Sequence, residues 1–138
     1  MSNPLEILLL DDEAIVGKRL KPAIEKINCN VEVFQDPLLA VERIKEKEFD
    51  IVVTDIYMDD MDGMQVLDIV LEKSSRTKVI MITGYAMISL ARDAMEKGAF
   101  DFIAKPFKHD DLRVVIAKAA KALGSPIDLN TMIQKQGR

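Results

Sequence analysis

Three aspartates, a threonine and a lysine each stand where an apolar run ends. Leu5–Leu10 is followed by Asp11 and Asp12, Ile51–Thr54 by Asp55, Val79–Ile82 by Thr83, and Phe100–Ala104 by Lys105. If each run is a strand of one parallel sheet, the polar groups meet at the carboxyl ends, where open α/β sheets place their ligand crevice. Like charges roughly 4 Å apart repel by about 4 kcal/mol at an effective dielectric of about 20. Asp11, Asp12 and Asp55 together therefore require a proton or a bound cation. Hard oxygen ligands with an open face suit Mg²⁺, and Mg²⁺ invites a phosphoryl group whose oxygens it neutralises. Lys105 adds a second positive charge. Thr83 offers a hydroxyl to a phosphoryl oxygen, beside Gly84, which lets backbone approach closely. An aspartate carboxylate is itself a nucleophile for phosphoryl groups. The set reads as phosphoryl chemistry with Asp55 as the acceptor.

The elements that must position these groups alternate along the chain. Ile51-Val52-Val53 is continuous rather than alternating, the mark of a strand covered on both faces at the centre of a parallel sheet. Glu13–Ile27 carries Val16, Leu20, Ala23, Ile24 and Ile27 at helical spacing, and Pro22 inside it predicts a kink. Val31–Phe34 is a short strand. Asp36 before Pro37 marks the start of a helix that runs to Lys47. Ile56–Gly63 is an acidic loop, and a helix over Met64–Lys73 follows. Another helix, Met87–Lys97, ends at Gly98. The last, Asp110–Leu123, is closed by Gly124 and Pro126. Five βα units with short connections predict an α/β fold: a doubly wound, five-stranded parallel sheet with helices on both faces.

Composition narrows the function classes. The 138 residues suit one domain with its own core. A net charge of −4 and a pI near 5.0 argue against direct nucleic-acid contact, which needs a clustered basic face. No apolar run is long enough for a membrane span, and the first residues lack the basic region of a signal peptide, so a cytoplasmic location is expected. Cys29 is the single cysteine and reads as a small structural residue. His109, the single histidine, stands outside the strand-end cluster and reads as a solvated surface residue.

Taken in order, Leu10-Asp11-Asp12-Glu13, Thr54-Asp55-Ile56-Tyr57-Met58, Met81-Ile82-Thr83-Gly84 and Ala104-Lys105-Pro106-Phe107 resemble the motifs of a response-regulator receiver domain of two-component signalling. The resemblance covers about Leu5 to Leu123. It implies a flavodoxin-like fold of the receiver type, with 1–124 as the receiver and 125–138 as a C-terminal tail or a linker towards an output domain. It implies that Asp55 is the phosphorylated aspartate, that Asp12 binds Mg²⁺ directly, and that Asp11 acts mainly through a water. Tyr57 would lend the metal its backbone carbonyl. Thr83 matches the switch hydroxyl, Phe102 the aromatic switch and Lys105 the lysine that reaches the phosphoryl group. Lys105-Pro106 would be a cis peptide. The implied partners are a sensor histidine kinase, an output domain or protein, and a second copy through the surface of helix 4, strand 5 and helix 5. Such a domain catalyses only its own phosphorylation and dephosphorylation.

Two tyrosines depart from the family pattern. Tyr57 lies two residues past the acceptor and Tyr85 two past Thr83, where both flank the path of water to an acyl phosphate; slow autodephosphorylation is expected. A phosphatase of the haloacid-dehalogenase type also uses an aspartate nucleophile, Mg²⁺, Thr and Lys. It needs Asp-x-Asp at a strand end, which neither Asp11-Asp12-Glu13 nor Asp55-Ile56-Tyr57 supplies. A flavodoxin-like cofactor binder needs a Gly/Ser/Thr-rich phosphate loop, and none is present.

Overall fold

The computed structural model describes residues 3–84 and 88–129. Strands β1 (Leu5–Leu10), β2 (Cys29–Phe34), β3 (Ile51–Asp55), β4 (Lys78–Thr83) and β5 (Asp101–Ala104) alternate with helices α1 (Ala14–Glu25), α2 (Pro37–Glu46), α3 (Gly63–Lys73), α4 (Ile88–Lys97) and α5 (His109–Ala122). All pairings are parallel, in the order β2-β1-β3-β4-β5. The strand order reverses between β1 and β3, so the ends of these two strands flank the crevice. The expected doubly wound sheet is present. Expectations at Tyr85, at Met87 and beyond Leu129 lie outside the described residues.

Successive side chains of a strand point to opposite faces, and the sheet accordingly divides its apolar residues between two cores. Leu8, Leu10, Val52 and Met81 pack with residues of α2, α3 and α4. Ile7, Leu9, Ile51, Val53, Ile80 and Ile82 pack with residues of α1 and α5. Ile127 and Leu129, after α5, are half-buried against the second core. A Cβ on Gly17 would lie 2.4 Å from Val33 Cγ1, so α1 can rest on β2 only because that atom is missing.

Boundaries differ from the sequence reading where pairing or capping decides them. β2 begins at Cys29, not Val31, because Cys29 and Asn30 pair with Leu5 and Glu6. Cys29 is therefore a buried strand residue, and burial, with Asp50 and Glu6 nearby, pushes its thiol up to about 12. Helix α1 runs through Pro22 without a break and stops at Glu25, short of Ile27. The Ile27 N–H turns to the Ile24 carbonyl instead, and the Ala23 carbonyl accepts Nε of Arg113 from α5 at 3.0 Å. α3 begins at Gly63, one residue early, because Asp62 and Gln65 form a reciprocal capping box.

Candidate functional site

β1 and β3 are adjacent and in register, Leu10 beside Thr54, so the residues after them emerge side by side. Asp11 is 1% exposed and Asp55 7%, whereas Asp12 lies open at the rim. One carboxylate oxygen from each of the three lies within 4.8 Å of the others. Two backbone groups orient the carboxylates. The Glu13 N–H donates to Asp11 Oδ1 at 2.9 Å and the Tyr57 N–H to Asp55 Oδ1 at 3.3 Å. A Cβ added to Gly84 would meet nothing within 4 Å, so open space lies next to Thr83.

Lys105 leaves β5 and crosses to this cluster, joined to Pro106 by a cis peptide. Its Nζ donates to Asp11 Oδ2 at 3.0 Å, to Asp55 Oδ2 at 3.1 Å and to Glu13 Oε1 at 3.4 Å. Its backbone N–H donates to the Thr83 carbonyl at 2.7 Å, which ties the lysine to the end of β4. Thr83 is fully buried, and its hydroxyl donates to the Gly84 carbonyl at 3.0 Å. Phe102 is half-buried against the first core. The Tyr57 side chain is 69% exposed, and the residue faces the cluster through its backbone.

The charges are out of balance. Burial pushes the Asp55 carboxyl above its ordinary value, Lys105 pulls it back, and Asp11 pushes it up again. Asp12 is also raised, by the solvent it has lost and by Asp11 and Asp59. Burial works against the Lys105 ammonium, but Asp11 and Asp55 more than offset it and hold the lysine above its ordinary value. Among the described residues Lys105 is the cation that meets these carboxylates, which leaves room for a second, and an all-oxygen donor set fits a hard divalent ion.

The structure thus brings Asp11, Asp12, Asp55 and Lys105 together, and leaves the Thr83 hydroxyl on a backbone carbonyl beside them. The sequence reading missed the reach of Lys105 to Glu13 and the influence of Asp59 on Asp12. Both acids belong to stretches evident in the sequence, but their direction depends on how the chain turns after each strand.

A family model described as the response regulator receiver domain matches residues 7–117. The chain is 35% identical to the chemotaxis protein CheY of Listeria monocytogenes, over 85% of this chain and 99% of that protein. It is 33% identical to the regulatory protein AtoC of Escherichia coli, over 82% of this chain but only 24% of AtoC. The chain likewise spans about a quarter of an NtrX-like response regulator of Rickettsia typhi. Among solved structures, a receiver domain protein from Clostridium thermocellum superposes with a TM-score of 0.81 at 28% identity, covering 86% of this chain and 95% of that one. The receiver domain of NtrX from Brucella abortus gives 0.78 at 30% identity, covering 83% and 98%.

Proposed function

The chain belongs to the response regulator receiver domain family, and on that premise we propose that Asp55 is the residue through which it is switched. Receiver domains are phosphorylation-based signalling switches of two-component systems, and histidine kinases are their partners. In this chain an Asp55 carboxylate oxygen attacks the phosphorus of a sensor kinase's phosphohistidine. The O–P bond forms, the P–N bond breaks and the imidazole leaves. The carrying observation is the buried Asp55 carboxylate held 3.1 Å from Lys105 at the end of the central strand. Asp11, Asp12, Asp55 and the Tyr57 carbonyl would hold Mg²⁺, with Asp11 acting mainly through a water. Bound Mg²⁺ supplies charge neutralisation for the transferred group. Lys105 stabilises the phosphoryl oxygens from the other side.

Phosphorylation adds about −1.5 to −2 charges and three strong acceptor oxygens. The Thr83 hydroxyl leaves the Gly84 carbonyl for a phosphoryl oxygen, and Phe102 follows into the space released. This repacks the surface of α4, β5 and α5, where Leu90, Met95 and Val114 are exposed apolar residues suited to a second copy or an output partner. Taking such an equilibrium from 1:99 to 99:1 requires about 5.5 kcal/mol of differential stabilisation. The chemistry is confined to the domain's own aspartate. Residues 1–124 are assigned to the receiver and 125–138 to a tail or linker. Among the described residues no helix is long and apolar enough to cross a membrane.

Intact mass after incubation with acetyl phosphate and Mg²⁺ tests the assignment. One phosphoryl group is expected on the native protein and none on Asp55→Asn or without metal; a gain that survives the substitution would mean another acceptor. Tyr57, beside the acceptor, is expected to slow hydrolysis, and rapid loss of the phosphoryl group in Mg²⁺ alone would refute that role.

A further inference from the structure

The peptide that follows the acceptor is hydrogen-bonded at its carbonyl oxygen, and the same oxygen is closely approached by the start of α3. The Asp55 carbonyl oxygen accepts the hydroxyl of fully buried Thr54 at 3.0 Å. A Cβ built on Gly63 would lie 2.3 Å from that same oxygen and 2.8 Å from Ile56 Cα. These are backbone atoms, so they give way only if the acceptor's own backbone moves. Among the described glycines only Gly98 and Gly124 have positive φ. Gly63 is therefore required for room rather than for conformational freedom. Ile56 is pinned as well: its N–H donates to the Ile82 carbonyl at 3.0 Å, and its carbonyl accepts the Gly63 N–H at 2.7 Å. The capping box of Asp62 and Gln65 fixes where α3 begins, and so where Gly63 sits.

We propose that Gly63 and Thr54 are positioning residues of the phosphorylation site: they hold the Asp55–Ile56 peptide where the Asp55 carboxylate and the Tyr57 carbonyl address one point. The inference rests on the reading of Asp55 as acceptor. Neither residue touches the reacting oxygens. Both act on the backbone to which the Asp55 carboxylate is referenced, through its bond to the Tyr57 N–H. A misplacement of about 1 Å in reacting groups costs about 100-fold in rate, and loss of the groups that orient metal ligands costs about 10- to 100-fold in affinity.

The test is calorimetric titration of the full chain with Mg²⁺, beside acetyl phosphate labelling and thermal unfolding. The variants are Gly63→Ala, Thr54→Val, Thr54→Ser and Gly17→Ala. The last creates a clash at a similar distance, 2.4 Å, but with the side-chain Cγ1 of Val33 and away from the site, and reports lost stability alone. Gly63→Ala is expected to weaken Mg²⁺ binding about 10-fold or more. Thr54→Val should weaken it about 3-fold, on the scale of one lost hydrogen bond. Thr54→Ser should restore the native constant, and Gly17→Ala should keep it despite a lower Tm. Native Mg²⁺ affinity in both Gly63→Ala and Thr54→Val, or an equal loss in Gly17→Ala, would overturn the proposal. If Gly63→Ala does not fold, the Thr54 pair decides alone: a Val variant with native affinity overturns it, a Val loss rescued by Ser supports it. A native protein that binds no Mg²⁺ and takes no phosphoryl group would instead remove the acceptor reading, and this inference with it.

Discussion

Two lysines, each surrounded by carboxylates, illustrate opposite uses of the same chemistry. Lys47, just past the end of α2, donates to Glu6 at 2.6 Å and to Glu32 at 3.0 Å, while Arg43 grips Glu32 at 2.8 and 3.1 Å. Two cations meet two anions there, and the network fastens α2 to β1 and β2. Lys105 meets Asp11, Asp55 and Glu13, with Asp12 alongside. The balanced cluster lowers its acid: the Arg43 hydrogen bond leads in holding Glu32 at about 2. The unbalanced one raises Asp55 and Asp12. A closed set of charges stabilises a fold; an open set is poised to take another ion.

The largest effect that separates the two clusters is expected at Lys105. Lys105→Met should slow phosphorylation of Asp55 about 100-fold, the scale of one lost charge-stabilising donor, measured by labelling rate; Lys47→Met should leave that rate unchanged. Asp12→Asn comes next. Removing a repelling charge should raise the metal-free Tm, yet erase most of the stabilisation by Mg²⁺, which is about 2.7 kcal/mol for a ligand at 100 times its Kd. An unchanged Mg²⁺ response would remove Asp12 from the metal site.

The smallest effect concerns pH. Glu32 has a folded value of about 2 against an ordinary 4.5, so its contribution is complete above that ordinary value and is lost as pH falls towards 2. Glu32→Gln should therefore lower Tm near neutral pH by roughly 2–4 °C, a modest cost because the pair is partly solvated. The difference should vanish near pH 2. A deficit that persists at that pH would mean that packing, not charge, holds α2 in place.

The cluster of carboxylates and lysine was legible because its members stand at the ends of apolar runs, and the sheet carries every run to the same end. Asp11, Asp12, Asp55 and Lys105 required only that one inference. Other features depend on contacts between distant segments, which periodicity does not report. Cys29 joins β2 because Leu5 is opposite it, and α1 ends early where Arg113, 90 residues away, takes its Ala23 carbonyl. The close approach of Gly63 to the Asp55 carbonyl has the same origin. Its residue type is plain in the sequence, but nothing there separates it from an ordinary turn glycine.

The strands that lead to Asp55 and to Lys105 differ in their enclosure. All five residues of β3 are buried at the middle of the sheet, whereas all four of β5 are half-buried at its edge. Amide protons of such a central strand exchange only when the whole domain unfolds, while those of a short edge strand escape through local opening. The two halves of the site are therefore expected to keep different clocks: amide protons of the edge strand that bears Phe102 and leads to Lys105 should exchange faster than those of the strand that ends at Asp55.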